Sequence, residues 1–435
     1  MFCAAIDFFR KSFHHAGVRR YGANTLWLLA EKTVRVAVGF SVGVYVARCL
    51  GPAQYGLLNY AISFVALFSV FSSLGLDAIL VRELVRTPQR ANVLMGSSLL
   101  LKLGGFGIMA SCVGIVLLFS GTAESRLLIW IILSGYFFQS FQVLDYFFQA
   151  RVQGKYVAIS QMAALLATAA GRVLLALNQA PLWSFALMET TYVLLASLCC
   201  WGFYRKGGAC LRQWRFDRQV ARELLRNCLP LMLAGAASLI YLRLDQVMIK
   251  TMVGDSANGQ YAVAVRLVEL LFVLPIVVGD SFFPSLVGTR TVSETRYLQR
   301  SSWLMKGMFY LALCGSIPVA FCGRWLVELL YGSAYHEAAM LFMILSLKML
   351  LVYPGLIYSK WMVVENMQKI LLVSAVGGAL TNVILNYFWI RLWGAPGAVW
   401  ATLASNLSIY LFFPLLFRRG RWAVVFFLRA LLPWK

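Results

Sequence analysis

Eight basic residues lie inside stretches of this sequence that are apolar enough to cross a membrane. They are Lys32, Arg35, Lys102, Arg172, Arg243, Arg266, Lys306 and Lys348. A charge in hydrocarbon costs about 2.5–3.5 kcal/mol on insertion scales, so such residues usually face a protein interior or a water-filled cavity. Guanidinium groups bind phosphate oxygens in pairs, and Lys supplies a compact positive charge. A cavity lined with these groups would suit an anionic cargo.

The depth of each residue in its stretch divides the eight. Lys306 lies near the start of its stretch and Arg172 near the end, so both side chains can reach the interface. Lys102 lies deeper, so its side chain could either reach the interface or face a cavity, and the sequence leaves both interpretations open. The remaining residues are the candidate binding cations, namely Lys32, Arg35, Arg243, Arg266 and Lys348.

Some of these cations have an acidic neighbour on the same helix face. Glu31 and Arg35 are four residues apart, and Arg266 and Glu269 are three apart, so each pair can form an ion pair. A purely structural ion pair is therefore the alternative to a binding role for both arginines. The Glu31–Arg35 pair would still leave Lys32 without a partner.

Two other positions need partners from elsewhere. Arg243 and Asp245 are two residues apart and do not face each other, so each needs another partner. Lys348 lies near the middle of its stretch with no acidic residue within a turn. It is the most costly unpaired charge, and its alternative is an ion pair with a carboxylate on another helix, such as Glu189.

Acidic residues inside the apolar stretches could couple transport to an ion gradient, since carboxylates relay protons in many transporters. The possible coupling carboxylates are Glu31, Asp245 and Glu269, and the sequence does not select one. Asp77, Asp145 and Asp280 lie near the ends of their stretches, where water at the membrane surface can solvate their charges.

The composition places the chain among polytopic membrane proteins. It has 435 residues, of which 61% are hydrophobic and 13% charged, and a formal net charge of +22. Nucleic-acid binding is excluded because the basic residues gather on no single soluble face and no binding motif is present. The Cys and His residues show no paired or ligand spacing, so no disulfide, metal or other cofactor is expected. No cleavable signal peptide is recognisable.

We predict twelve membrane spans. Stretches this long without period-2 alternation must be helices, because lipid satisfies no backbone hydrogen bonds. The predicted spans are 24–48, 56–81, 93–119, 126–149, 157–177, 182–204, 228–252, 258–287, 302–323, 336–359, 369–391 and 396–417.

The loop charges predict the orientation. Outside the spans, the basic residues on the side opposite the N-terminus are only Arg48, Arg126, Lys250, Arg324 and Arg391. All other loop cations fall on the side of the N-terminus, which is therefore cytoplasmic by the positive-inside rule. An even number of spans places the C-terminus there as well.

The longest loop divides the chain into two halves of six spans. The predicted segments are a basic cytoplasmic N-terminal segment 1–23, an N-terminal lobe 24–204, a basic cytoplasmic inter-lobe loop 205–227, a C-terminal lobe 228–417 and a basic cytoplasmic tail 418–435. Each half carries a cation, a Gly, a short polar turn, a Gln and a Tyr where its first span meets its second. Halves with an even number of spans enter the membrane in the same orientation, so they would be parallel repeats.

The signature turn between spans one and two carries a family resemblance. The stretch Arg48-Cys49-Leu50-Gly51-Pro52-Ala53-Gln54-Tyr55-Gly56, with Ser73-Leu74-Gly75-Leu76-Asp77 after it, resembles the polysaccharide-type flippases of the multidrug/oligosaccharidyl-lipid/polysaccharide exporter superfamily. Leu244-Asp245-Gln246 and Gly259-Gln260-Tyr261 agree more loosely in the second half. The resemblance implies an all-α polytopic membrane protein with twelve transmembrane helices in two six-helix lobes around a central cationic cavity.

The resemblance also implies a function. Such a protein would move an undecaprenyl-diphosphate-linked oligosaccharide of an O-antigen, capsule or exopolysaccharide across the bacterial inner membrane by alternating access, without being an enzyme. Its partners would be that lipid-linked oligosaccharide, the bilayer, and a polysaccharide polymerase and chain-length regulator. One alternative is a multidrug antiporter of the same superfamily. The other is a membrane polysaccharide polymerase or glycosyltransferase, which would need a large outer loop or an acidic catalytic motif.

Overall fold

The computed structural model describes residues 16–208 and 210–431, and within them the chain is helical and has no strand. The α-helices are α1 (Ala16–Ser73), α2 (Leu76–Arg86), α3 (Ala91–Phe119), α4 (Ala123–Gln139), α5 (Val143–Ala150), α6 (Gly154–Leu177), α7 (Leu182–Lys206), α8 (Arg218–Met252), α9 (Asp255–Leu271), α10 (Val273–Val292), α11 (Glu294–Tyr331), α12 (His336–Ser346), α13 (Met349–Val364), α14 (Gln368–Trp393), α15 (Ala395–Leu407), α16 (Phe413–Leu415) and α17 (Arg418–Leu431). The predicted all-α polytopic class is confirmed.

The structure has fewer separate membrane-spanning segments than the twelve spans that the sequence predicts. Among the described residues, ten helical segments are long and apolar enough to cross a membrane, or eleven if one bent pair forms a single span. One of the ten, Asn24–Arg86, has 63 residues. At about 1.5 Å per residue it is roughly three times as long as the hydrocarbon layer is thick, and it contains the first two predicted spans. The count of twelve stays a prediction.

The signature turn interrupts this long segment. Gly51 lies inside α1 with φ 70° and ψ 172°, a conformation that L side chains rarely adopt, and Pro52 follows it. The break falls between predicted spans one and two. A glycine at this position is therefore required by the backbone itself.

The tenth predicted span is broken in its middle. The pair Ser333–Ser346 and Met349–Val364 is bent by 43°. The break falls at Leu347 and Lys348, and Lys348 is the residue that precedes α13. The most costly charge predicted from the sequence thus lies where the helix is interrupted.

The chain divides into two compact units. Of the described residues, unit 1 contains 16–49, 65–208 and 210–235, and unit 2 contains 50–64 and 236–431. The division along the chain falls inside α8 rather than in the predicted inter-lobe loop. The first fifteen residues of the predicted N-terminal segment, and residues 432–435 of the tail, lie outside the described residues. The rest of the tail is the helix α17.

Each unit has its own hydrophobic core. In unit 1 the core gathers buried side chains of α2, α3, α5 and the end of α7, including Leu80, Met95, Phe147 and Tyr204. In unit 2 it gathers Tyr297 of α11, Trp361 of α13, Ile370 of α14 and Phe427 of α17. These cores hold the helices that carry the polar groups described below.

Candidate functional site

Unit 1 contains a polar cavity of about 240 Å³. Its polar lining includes Arg35 of α1, Gln139 at the end of α4, Gln142, Asp145 of α5, Gln161 of α6 and Tyr192 of α7. Amide, guanidinium and phenol groups are unusual in helices of such apolar sequence, because each needs a partner when it leaves water. In this cavity the polar side chains of neighbouring helices are the partners of one another.

Gln161 connects the cavity groups. Its side-chain oxygen accepts hydrogen bonds from Arg35 Nη2 at 2.8 Å and from the Tyr192 hydroxyl at 2.5 Å. Its side-chain nitrogen donates to Asp145 Oδ2 at 3.1 Å. Arg35 Nε also donates to Glu31 Oε1 at 2.6 Å, so the predicted ion pair of Glu31 and Arg35 is confirmed. The guanidinium of Arg35 is held in place, yet 45% of its side chain stays exposed.

Asp145 does not behave as a solvated residue at a helix end. It is 7% exposed, and its Oδ1 accepts a hydrogen bond from the Cys200 thiol at 3.1 Å. The sequence-based interpretation of Asp145 was wrong, because two polar groups from other helices replace the water that its position suggested.

Lys102 is buried inside unit 1, with an exposed fraction of 1%. Its amino group lies 3.4 Å from the Tyr146 hydroxyl and 5.0 Å from the centre of that ring. The Tyr146 hydroxyl donates in turn to Asp77 Oδ1 at 2.5 Å. Lys102 therefore does not extend to the interface, which decides a point that the sequence left open.

Unit 2 contains a closed polar cluster around Asp245 of α8, which is 5% exposed. The carboxylate accepts hydrogen bonds from the Tyr261 hydroxyl at 2.7 Å, Asn386 Nδ2 at 2.6 Å and the Thr402 hydroxyl at 3.0 Å. Its partners come from α9, α14 and α15. As the sequence predicted, Asp245 finds partners other than Arg243.

One acceptor in this cluster is left over. Asn386 Nδ2 also donates to Asn382 Oδ1 at 3.0 Å. Asn386 Oδ1 is buried without a hydrogen-bond partner in the described structure. An unsatisfied oxygen beside a buried carboxylate is the kind of ligand set that hard cations prefer.

Lys348 makes no ion pair within the part of the chain that the structure describes. Its amino group lies 5.2 Å from the centre of the Phe272 ring. Glu189 is not its partner, because Glu189 pairs with Arg172 at 2.9 Å in unit 1.

Several candidate cations and the carboxylates of the spans differ in their exposure. Three candidate cations have exposed side chains, namely Lys32, Arg35 and Arg266. Three carboxylates of the predicted spans are buried, namely Glu31, Asp145 and Asp245. Among the candidate residues, some cations are therefore exposed and no carboxylate is, although the span cation Lys102 is buried.

Residues 21–290 match the family model described as polysaccharide biosynthesis protein, which is more than half of the chain. The chain belongs to this family. No curated protein matches the sequence.

Solved structures show the fold of this chain. The lipid II flippase MurJ in an inward closed conformation has a TM-score of 0.72 at 13% identity, over 93% of this chain and 87% of that one. An inward-facing multidrug resistance MATE family transporter of the MOP superfamily has a TM-score of 0.69 at 14% identity, over 91% and 96%. A MOP superfamily transporter from Pyrococcus furiosus has a TM-score of 0.60 at 15% identity, over 94% of both chains. Identities this low show the fold alone.

The signature turn packs against the matching turn of the second half, within unit 2. Gly51 and Gly254 both have positive φ, of 70° and 133°. A Cβ on Gly56 would overlap the backbone of Asp255, and a Cβ on Gly259 would overlap the backbone of Pro52. Asn258 Nδ2 also donates to the Gly56 carbonyl at 2.8 Å.

The other signature residues lie near this contact. The ring centre of Tyr55 is 6.4 Å from that of Tyr335, and Arg48 is exposed. The family resemblance alone assigns no role to these residues. The structure gives Gly51 and Gly56 the role of allowing a turn and a close helix approach.

The remaining predicted residues are placed as follows. Arg266 is exposed and forms no ion pair with Glu269, although both are described, so the alternative of a structural pair does not hold for it. Arg243 and Lys306 are half-buried. Arg172 does not extend alone to the interface, since it pairs with Glu189.

Sequence reasoning missed the neutral partners of the charged groups. Gln161, Asn386 and Thr402 are polar residues inside apolar spans, and each binds a buried carboxylate. Asn382 and Asn386 are four residues apart on one helix face. An inspection of uncharged polar residues within the spans, not of charges alone, would have found them.

Proposed function

We propose that this chain is a flippase that translocates an undecaprenyl-diphosphate-linked oligosaccharide repeat unit by alternating access. Its family belongs to polysaccharide biosynthesis, and its fold is that of MOP superfamily transporters. A diphosphate carries negative charge that must leave the interfacial water, so its carrier needs accessible cations.

The contrast between exposed cations and buried carboxylates carries the proposal. Lys32 and Arg266 are exposed and unpaired in the described structure, well inside predicted spans. A cation exposed to lipid is costly, so each of these side chains is best accommodated where water reaches it. Water-accessible groups of this sign favour an anionic cargo.

The polar cavity of unit 1 would serve the sugar part. Hydroxyl groups of a sugar need both donors and acceptors, and the cavity offers the amides of Gln139 and Gln142 beside Arg35. The Tyr192 ring supplies an apolar surface. A volume of about 240 Å³ accommodates a single sugar ring rather than a whole repeat unit.

The proposal includes coupling to an ion gradient, with Asp245 as its carboxylate. Glu31 forms an ion pair with Arg35, and Glu269 is less buried than Asp245. Asp245 has only neutral hydrogen-bond donors and lies beside the unsatisfied oxygen of Asn386. A proton or sodium ion bound there would neutralise its charge.

The proposed setting follows from the loop charges. The chain would lie in the bacterial inner membrane with both termini cytoplasmic. It would hand its cargo to a polysaccharide polymerase that works with a chain-length regulator.

The test is complementation of a deletion strain with charge-removing variants. Lys32→Ala/Arg266→Ala should reduce surface polysaccharide roughly tenfold or more, because each charged hydrogen bond contributes about 1.5–3 kcal/mol. Lipid-linked precursor should accumulate in the same cells. Lys348→Ala and Arg35→Ala should also reduce surface polysaccharide. The charge-retaining double variant Lys32→Arg/Arg266→Lys should reduce it less than the double Ala variant does.

The matched control is Lys306→Ala, which removes a span cation near the predicted interface and should export normally. Membrane levels of every variant are compared by immunoblot. Normal surface polysaccharide from the double Ala variant would contradict the cationic-site model. In the same assay, Asp245→Asn should abolish export if the ion site is correct, and unchanged export would remove Asp245 from the proposal.

The multidrug antiporter is the second candidate, because a MATE family transporter shares the fold. Cationic drugs would require exposed carboxylates, whereas Glu31, Asp145 and Asp245 are buried. Increased sensitivity of the deletion strain to cationic dyes, with normal surface polysaccharide, would favour this second function.

A further inference from the structure

The C-terminal helix α17 is fixed to unit 2 through one face. Its buried residues are Gly420, Ala423, Val424, Phe427 and Ala430, and it packs against α11. The Phe427 ring lies 4.7 Å from Tyr358, and the Phe426 ring stacks 4.7 Å from Trp361 of α13. The helix is therefore a docked element rather than a free tail.

The opposite face of α17 combines apolar and cationic side chains. Trp422, Val425 and Leu428 are 47%, 44% and 42% exposed. Arg418, Arg419, Arg421 and Arg429 are exposed as well. Arg418, Trp422, Val425 and Arg429 follow the spacing i, i+4, i+7, i+11, so they form one strip along the helix.

These arginines have no acidic partner in the described structure. No Asp or Glu follows Glu365 anywhere in the sequence. Arg421 Nε donates to the Leu415 carbonyl at 3.1 Å, which leaves Arg418, Arg419 and Arg429 without a contact of that kind. A strip of uncompensated cations calls for an anionic partner from outside the chain.

The position of α17 shows where that partner lies. Phe427 shares its core with Tyr297, Trp361 and Ile370. Each of those three residues lies in or beside a loop that the charge distribution assigns to the cytoplasmic side. The outer face of α17 is thus at the level of the cytoplasmic membrane interface.

We propose that α17 is an interfacial platform that binds the headgroups of anionic phospholipids in the cytoplasmic leaflet. Its arginines would contact the phosphates, while Trp422, Val425 and Leu428 enter the acyl boundary. A helix with basic residues and a Trp on its outer face is suited to this plane of the bilayer. A protein partner would need acidic groups that match the arginines, and it would not explain the exposed apolar side chains beside them. The inference is independent of the cargo.

The experiment measures lipid binding by the purified full-length protein in native mass spectrometry, with phosphatidylglycerol and phosphatidylcholine as the probes. Arg418→Gln/Arg419→Gln/Arg429→Gln should weaken binding of phosphatidylglycerol roughly tenfold or more, since each surface cation contributes to attraction by anionic lipid. Phosphatidylcholine binding should not change. Arg418→Lys/Arg419→Lys/Arg429→Lys should retain most of the bound phosphatidylglycerol.

The matched control is Arg212→Gln/Arg215→Gln/Arg218→Gln, which removes the same charge from exposed positions at and just before the start of α8 and should bind phosphatidylglycerol as the unmodified protein does. If the triple variant is poorly produced, the single variants Arg419→Gln and Arg429→Gln provide the same test in graded steps. Equal phosphatidylglycerol binding by the unmodified and Gln variants would overturn the proposal. So would an equal loss in the control, or capture of an acidic protein by α17 with lipid binding unchanged.

Discussion

The two units hold buried carboxylates in opposite ways. In unit 1, Asp145 lies beside a cavity and shares Gln161 with the exposed cation Arg35. In unit 2, Asp245 is enclosed by three neutral donors on three other helices. The first arrangement is open to exchange with water, and the second is closed.

This difference indicates a division of roles. A hydrated cavity with an exposed guanidinium can accept a polar group from a cargo and release it again. A closed carboxylate with a spare amide oxygen can hold a small cation but leaves no room for a sugar. The closed cluster should therefore contribute more to stability, and the open one more to cargo binding.

The largest expected effect separates the two carboxylates. Asp245→Ala leaves the Tyr261 and Thr402 hydroxyls without their acceptor in a dry site, which should cost about 3 kcal/mol. Asp145→Ala leaves Gln161 facing a cavity where water can replace the carboxylate, so about 1 kcal/mol is expected. The measurement is thermal unfolding of both purified variants in the same detergent.

Each outcome bears on the comparison. A much larger loss of Tm for Asp245→Ala than for Asp145→Ala would support a closed cluster around Asp245 and an open cavity beside Asp145. A raised Tm for Asp245→Ala would mean that the cost of burying its charge exceeds the value of its hydrogen bonds, and the two units would then not differ as argued.

A smaller effect should come from the helix contact of α1 with α9 in unit 2. Gly56→Ala places a methyl group against the backbone of Asp255, which cannot move aside as a side chain would, so about 2 kcal/mol of stability should be lost. Gly104→Ala in α3 of unit 1 is the matched control. A Cβ there meets no atom within 4 Å, and Ala is the better helix former, so its Tm should be unchanged or higher. Equal losses would show that the contact is not tight.

The sequence predicted the helical class, the first two spans and the signature turn because each depends on local properties. Apolar length determines spans, and a glycine followed by proline marks a break. The 43° break at Lys348 has no such local signal, because Pro354 is the nearest helix breaker and lies further along α13.

The candidate site was predicted only in part, for a related reason. The Glu31–Arg35 pair was predictable from i,i+4 spacing on one helix. Partners such as Gln161 for Asp145 or Asn386 for Asp245 are separated by long stretches of sequence, and only helix packing brings them together. The burial of Asp145 and Lys102 could not be read from their distance to a span end, because neighbouring helices decide it.

The smallest expected effect concerns the ion pair in unit 1. Glu31→Gln removes one partner of Arg35, but 45% of the arginine side chain is exposed and it keeps its bond to Gln161. Partly exposed ion pairs contribute at most about 1 kcal/mol, so the Tm should barely change. Export should be maintained or increased, because the variant removes one negative charge beside Arg35 of the cavity that is proposed to receive an anionic cargo. Arg35→Gln is the paired control, which should reduce export at a similar Tm. Loss of export in Glu31→Gln would instead make Glu31 a coupling carboxylate, and the ion site would then belong to the open unit rather than the closed one.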